Sequence, residues 1–260
     1  MSSVSSSRTS SRGPIPRGPQ KLGSFFSDKT LSDVIVKFGD QEIFAHRLIL
    51  VKSSIWFEKA LLGEFKASQH QTVIDIGDDD DPAAVTAMLR FFYDGTYRLD
   101  GLDGNSADQH LTMYRLGDLY DAPDLRKRAS CQFINHLREG RYSASEPDQY
   151  RFPDHIVRSI QQVIGPSADT FADNSIQGDV FKFIMEQASS LYKSELFHEL
   201  LGDGTMFSES FSRRFLQKTG ELIARLQTRG RDDWGARPTT PRDTPYSWDV
   251  YTGDYNWAPW

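Results

Sequence analysis

Extended segments rich in β-branched residues, separated by turn residues, mark the first part of the chain. The apolar pattern predicts three strands, at residues 33–38, 41–45 and 71–76. Gly39-Asp40 between the first two strands predicts a β-hairpin. Closely spaced apolar residues predict two short helices, at 46–51 and 55–62, with Ser53 or Ser54 as the N-cap of the second.

Apolar positions recur every three to four residues from about residue 82 onward. Asp81 followed by Pro82 is typical of a helix N-terminus, because aspartate caps free N–H groups and proline suits the first turn. The period predicts helices at 83–93, 107–120, 123–137, 152–164, 178–201 and 206–226. This order predicts an α+β fold, a small three-stranded sheet flanked by a cluster of helices, followed by a mostly helical C-terminal region.

Both ends of the chain lack this aliphatic period. We expect a disordered tail at 1–22, an α+β domain at 23–140, a helical region at 141–229 and a disordered aromatic tail at 230–260. The last tail is passive, or it is a short motif that orders on a partner's groove or on this protein's own helical half. Aromatic residues punctuate it at Trp248, Tyr251, Tyr255, Trp257 and Trp260.

Composition limits the classes of partner and the cellular locations that fit this chain. The net charge is −6 and basic residues are scattered, which argues against a nucleic-acid partner. The single cysteine excludes an intramolecular disulfide and zinc sites built from cysteine pairs. No apolar run approaches the roughly 18 residues of a membrane helix, and no signal peptide is recognisable. We expect no membrane partner and a location in the cytoplasm or nucleus.

No group of residues has the spacing of a catalytic site, a metal site or a cofactor-binding site. His46 has no nucleophile or acid with a matching role, so we expect a packed, hydrogen-bonded histidine. The four acids at 78–81 lack the spacing of calcium ligands. Cys131 and His136 lack further ligands, and we expect Cys131 to pack as a small apolar residue. The sequence therefore predicts no enzyme and no cofactor.

Several segments together resemble the BTB/POZ domain, in the order and spacing of that family. They are residues 31–36, 44–50, 53–57, 73–76, 89–97 and 114–125. The layout looks most like BTB proteins abundant in filamentous fungi. The resemblance implies the BTB/POZ fold at 23–140 and a protein–protein interaction module that binds partner proteins or forms a homodimer. One alternative is a transcriptional regulator without its own DNA-binding domain.

The resemblance also implies a partner surface. Asp33 and Arg47 lie where the family often keeps a charged pair that lines a pocket near the dimer seam; the alternative is a structural ion pair. Leu22, Phe25 and Phe26 are apolar residues before the first strand, and we expect them to contact a second copy.

A second alternative is a substrate adaptor of a cullin ubiquitin ligase. Cullin-binding relatives often carry a hydrophobic-X-Glu motif, and Phe65 with Ala67 stands at that position, with alanine in place of the acid. Leu62 and Glu64 offer the motif in a shifted register. The missing acid predicts weak or absent cullin binding.

Overall fold

The structure is a computed structural model that describes residues 21–63, 72–102, 104–140 and 152–235, and in 229–235 the backbone only. Its strands are β1 Val34–Phe38, β2 Gln41–Ala45 and β3 Val73–Asp75. A 3-10 turn, Leu22–Phe25, precedes them. The helices are α1 Arg47–Ser53, α2 Ile55–Leu62, α3 Pro82–Asp94, α4 Ser106–Leu119, α5 Pro123–Gly140, α6 Asp154–Ile164, α7 Ser175–Leu191, α8 Glu195–Gly202 and α9 Glu209–Gly235.

The three strands form one sheet with β1 in the centre. β2 pairs with β1 antiparallel as the predicted hairpin, with Val36 opposite Ile43. β3 lies on the other side and runs parallel to β1, with Val36 opposite Ile74. Alternate residues of β1 are buried, so one face of the sheet is directed into the core.

Side-chain caps begin the helices where the sequence predicts them. The Ser54 hydroxyl accepts the Phe57 N–H at the start of α2, and Asp81 accepts the Ala83 N–H at the start of α3. Gly95 ends α3 with φ +67°, a left-handed conformation that glycine adopts without steric cost. These caps confirm Ser54 and Asp81 as the N-terminal signals.

Two of the predicted helices differ from the structure by more than three residues. The single helix predicted at 178–201 is two helices, because the Ser194 hydroxyl accepts the Phe197 N–H and starts α8 after a break. α9 continues to Gly235, beyond Leu226, where the apolar pattern ends. Residues 1–20 and 236–260 lie outside the described residues, so the disorder predicted for them stays a prediction.

The chain divides into two compact units, Met1–Phe211 and Ser212–Trp260. Within the first unit, α7 packs against both α5 and α6, so the helices after residue 152 join the helices before residue 140. No helix among the described residues has the length and apolarity to cross a membrane.

Candidate functional site

The segment before β1 is fastened to the end of α3 by aromatic contacts. The Phe26 ring meets the Tyr93 ring edge-on at 5.5 Å, and the Arg90 guanidinium lies 5.2 Å above Phe26. Phe25 makes a similar edge contact, at 6.1 Å, with His46. Both phenylalanines are partly buried against their own domain. The expectation that they contact a second copy is untested, but part of each ring is already occupied within the chain.

His46, which precedes α1, bonds both the segment before β1 and the end of α3. These two partners indicate which ring nitrogen carries the proton. Its Nε2 lies 3.0 Å from the Thr30 carbonyl, which only accepts, so Nε2 carries the proton. Nδ1 therefore accepts from the Tyr93 hydroxyl at 2.9 Å, while the same hydroxyl accepts the His46 backbone N–H. Burial raises the pKa of Tyr93 to about 12, so the hydroxyl keeps its proton. The prediction of a packed, hydrogen-bonded His46 is confirmed.

Asp33 caps the first helix from a distance in sequence. Its carboxylate accepts the Arg47 backbone N–H at 2.7 Å, at the first residue of α1, where N–H groups have no partner within the helix. The His46 side chain at the N-cap position makes no capping bond, so Asp33 takes that role. The negative charge also suits the positive end of the helix dipole. The observed bond is to the backbone of Arg47, so the choice between a pocket-lining charged pair and a structural ion pair stays a prediction; Asp33 itself is exposed.

Three leucines in the segments joined by these contacts are exposed, and we call them the leucine surface: Leu22 (50% exposed), Leu31 (80%) and Leu48 (79%). Leu31 also has φ +63°, a left-handed conformation that is strained for a side chain with a Cβ. Sequence reasoning found Leu22 and missed the other two. Leu48 was missed because it lies in a continuous apolar run. Leu31 was missed because no residue pattern indicates its backbone conformation.

The residues proposed for cullin binding are only partly described. Leu62 ends α2 and is 58% exposed. Glu64, Phe65 and Ala67 lie outside the described residues, so the prediction of weak or absent cullin binding remains a prediction.

A cluster of polar side chains joins α4 and α5 to the residues before α7. The Tyr114 hydroxyl donates to an Asp173 carboxylate oxygen at 2.8 Å and lies 2.7 Å from the Ser175 hydroxyl. The Arg126 guanidinium reaches three carboxylates, with Nη1 3.3 Å from Asp118 Oδ1, Nη2 3.4 Å from Asp121 Oδ1 and Nε 3.5 Å from Asp173 Oδ2. A charge-assisted hydrogen bond and an ion pair thus tie α4 and α5 to the start of α7.

Comparison with known proteins decides the class of the first domain. The profile of the BTB/POZ domain family matches residues 22–137. Residues 22–137 are a BTB/POZ domain. The recognition of a BTB/POZ domain from sequence and the predicted α+β fold are confirmed. BTB/POZ domains form a family of protein–protein interaction modules, and this is the function class of residues 22–137.

Solved structures of BTB domains are similar to this part of the chain. The BTB (Tramtrack and Bric a brac) domain of human gigaxonin is 20% identical, with a TM-score of 0.34; the match covers 43% of this chain and 83% of that one. The BTB domain of zebrafish PATZ1 is 15% identical, also with a TM-score of 0.34, and the match covers 44% and 86%. No curated protein matches the chain.

Burial sets the protonation state of Tyr114, whereas hydrogen bonds and a neighbouring charge set that of Asp173. Burial raises the pKa of Tyr114 to about 12, so the hydroxyl remains a donor. Burial alone would raise the pKa of Asp173, but hydrogen bonds from Ser175 and Tyr114, with the charge of Arg126, hold that pKa below its usual value. The carboxylate is therefore ionised at neutral pH, and its bonds are charge-assisted.

Two histidines of the BTB/POZ domain lie side by side. His110 Nδ1 lies 2.8 Å from the Tyr97 hydroxyl, and its ring centroid is 6.5 Å from that of His136. Burial, then repulsion by His136, lowers the pKa of His110 to about 4, so the pair is neutral at neutral pH. Among the described residues, no three His, Cys, Asp or Glu side chains are placed to hold a metal ion.

A groove of about 550 Å³ lies between α5 and α7. The Ser130 hydroxyl, which lines it, donates to Asp179 at 2.7 Å. Cys131 lines the same groove and is exposed, so the expectation that it packs as a small apolar residue is wrong. Its position on α5 faces away from the apolar stripe of Ala129, Phe133 and Leu137, which are all buried.

Proposed function

We propose that the BTB/POZ domain pairs with a second copy of this chain through the leucine surface. The observation that carries the proposal is the exposure of Leu31 and Leu48, each about four-fifths open to solvent. Burying a leucine side chain fully contributes roughly 1.5–3 kcal/mol, so two leucines on each of two copies would supply a substantial driving force. A two-fold interface brings the same patch of both copies together.

The leucine surface is held rigid by the contacts around it. The Thr30 carbonyl is bonded to His46 and the Asp33 carboxylate to the Arg47 N–H, so the chain on both sides of Leu31 is fixed to the start of α1. A fixed surface loses little conformational entropy on binding, which favours association. The strained backbone of Leu31 supports the same reading, because such strain is often found at functional positions.

Sedimentation of the full chain tests this proposal. We expect the wild type to populate a dimer at micromolar concentration and the Leu31→Ser/Leu48→Ser variant to shift toward monomer. Both leucines are largely exposed, so the substitutions should leave folding intact. Leu119→Ser is the matched control, because Leu119 is 59% exposed at the end of α4 and lies outside the leucine surface. A wild type that is monomeric at these concentrations, or a dimer equally strong in the double variant, contradicts the proposal.

A further inference from the structure

Four exposed aliphatic side chains lie close together on α9. They are between 47% and 70% exposed, and we call them the α9 stripe: Leu216, Leu222, Ile223 and Leu226. Leu216 and Ile223 are seven residues apart, Leu222 and Leu226 four, and Ile223 and Leu226 three. These spacings place all four on one side of a helix. They are four of the eleven large exposed apolar residues among those the structure describes. Single exposed leucines are ordinary, whereas several large apolar side chains on one side of a helix indicate something that covers them.

The charges on the same helix restrict what can cover the stripe. Residues 212–228 hold four basic residues, Arg213, Arg214, Lys218 and Arg225, and one acidic residue, Glu221. This part of α9 is therefore basic within a chain whose net charge is −6. An occupant that is apolar and acidic complements both the stripe and its surroundings.

The chain itself contains a segment of that composition directly after α9. Residues 243–260, here the aromatic segment, hold three aspartates and neither lysine nor arginine. They also hold six aromatic residues: Tyr246, Trp248, Tyr251, Tyr255, Trp257 and Trp260. Tryptophan and tyrosine bury large apolar areas and frequently anchor interfaces.

The connection between the helix and the aromatic segment is long enough to reach the whole stripe. From Gly235, where α9 ends, the helix axis runs back about 28 Å to Leu216, at 1.5 Å per residue. The twelve residues 236–247, which lead from the helix to Trp248, the first tryptophan of the aromatic segment, span roughly 40 Å when extended. A covalently attached segment has an effective concentration of about millimolar, which favours it over a free second copy with the same contacts.

We propose that the aromatic segment packs back on the α9 stripe of its own chain. Its aromatic rings cover the four aliphatic side chains, and its aspartates lie near the basic residues of the helix. Release of the segment by a competing partner would expose two complementary surfaces at once. This intramolecular contact lies within residues 212–260 and is independent of pairing through the BTB/POZ domain.

Tryptophan accessibility in the full-length protein tests this contact. The chain has five tryptophans, so Trp56→Phe and Trp234→Phe leave only the three indoles of the aromatic segment as reporters. In this background we expect Leu222→Gln/Leu226→Gln to increase acrylamide quenching at least about twofold, because docked indoles are shielded from solvent. Leu119→Gln, on α4, should leave the quenching unchanged. Circular dichroism checks that each variant keeps its helices.

A second measurement avoids the tryptophan substitutions. In full-length protein labelled with 5-fluorotryptophan, the fluorine resonances of the aromatic segment should move toward the free-indole position in the Leu222→Gln/Leu226→Gln variant and not in Leu119→Gln. Indoles that are as accessible in the parent protein as in the stripe variant overturn the proposal. Shielding that disappears on dilution overturns it in favour of a second copy. Stripe-dependent binding to phosphatidylserine vesicles, with the indoles exposed beforehand, overturns it in favour of a membrane.

Discussion

The Tyr114 hydroxyl and the Asp173 carboxylate are 2.8 Å apart and join α4 of the BTB/POZ domain to the residues that precede α7. The tyrosine is fully buried, and the aspartate is charged because its neighbours lower its pKa. Tyr114→Phe removes a hydrogen bond to a charged group, so we expect a loss of about 1.5–3 kcal/mol in the free energy of unfolding. Urea denaturation at pH 7 measures it.

Tyr192→Phe is the control for that substitution. Tyr192 is 43% exposed, and a surface change of this kind costs within about 0.5 kcal/mol. Equal losses in the two variants would show that the Tyr114–Asp173 bond contributes nothing specific.

The same cluster bears on the prediction that the BTB/POZ domain, residues 23–140, folds alone. We expect that fragment to fold, because it contains the whole sheet and the helices α1 to α5. It should unfold at a lower temperature than the full chain, because Tyr114 loses Asp173 and Ser130 loses Asp179. Circular dichroism melting compares the two. A fragment without helical signal contradicts autonomous folding, and one with an equal midpoint contradicts the stabilising role of the cluster.

The histidine pair predicts an acid sensitivity. The pKa of His110 is about 4 in the folded state against 6.5 as its ordinary value, so the unfolded chain takes up a proton first as the pH falls. Stability should hold above about pH 6.5 and decrease as the pH falls from there toward 4. In His110→Gln this decrease should be smaller, with the remainder due to His136, whose pKa is also lowered by burial. Unfolding free energies at pH 7 and 4.5 check this, and an unchanged difference would contradict it.

The cullin prediction depends on one position. The resemblance implies that Ala67 stands where cullin-binding relatives often carry an acid, so we expect the wild type to bind cullin weakly or not at all. Ala67→Glu should strengthen any binding, because it supplies the missing charge. Calorimetry with a purified cullin measures both proteins, with Ala67→Gln as a control of similar size without charge. Submicromolar binding by the wild type would show that the alanine is no obstacle.

Local signals explain why most of the fold could be predicted. The Gly39-Asp40 turn, the Ser54 and Asp81 caps and the helical period each act over a few residues, and each is present in the structure. The break between α7 and α8 was missed because the apolar period continues through it. Only the serine cap at Ser194 marks the new start.

The candidate site was less predictable because its contacts join distant parts of the chain. Asp33 caps a helix that starts 14 residues later, and Tyr93 bonds His46 across 47 residues. Leu31 is exposed and has a left-handed backbone conformation that no residue pattern indicates. Sequence reasoning could therefore name Asp33, His46 and Leu22 as candidates but could not predict the bonds of Asp33 and His46.

An intermolecular distance tests pairing through the leucine surface most directly. In a Cys131→Ser background, a spin label on Lys52→Cys reports on α1, because Lys52 is an exposed residue one turn beyond Leu48. A label on Lys182→Cys, on α7, is the control. We predict a defined dipolar coupling between copies at position 52, corresponding to a shorter distance than at position 182, and its loss in Leu31→Ser/Leu48→Ser. No coupling at position 52 under conditions where the protein is dimeric, or a shorter distance at position 182, would contradict the account.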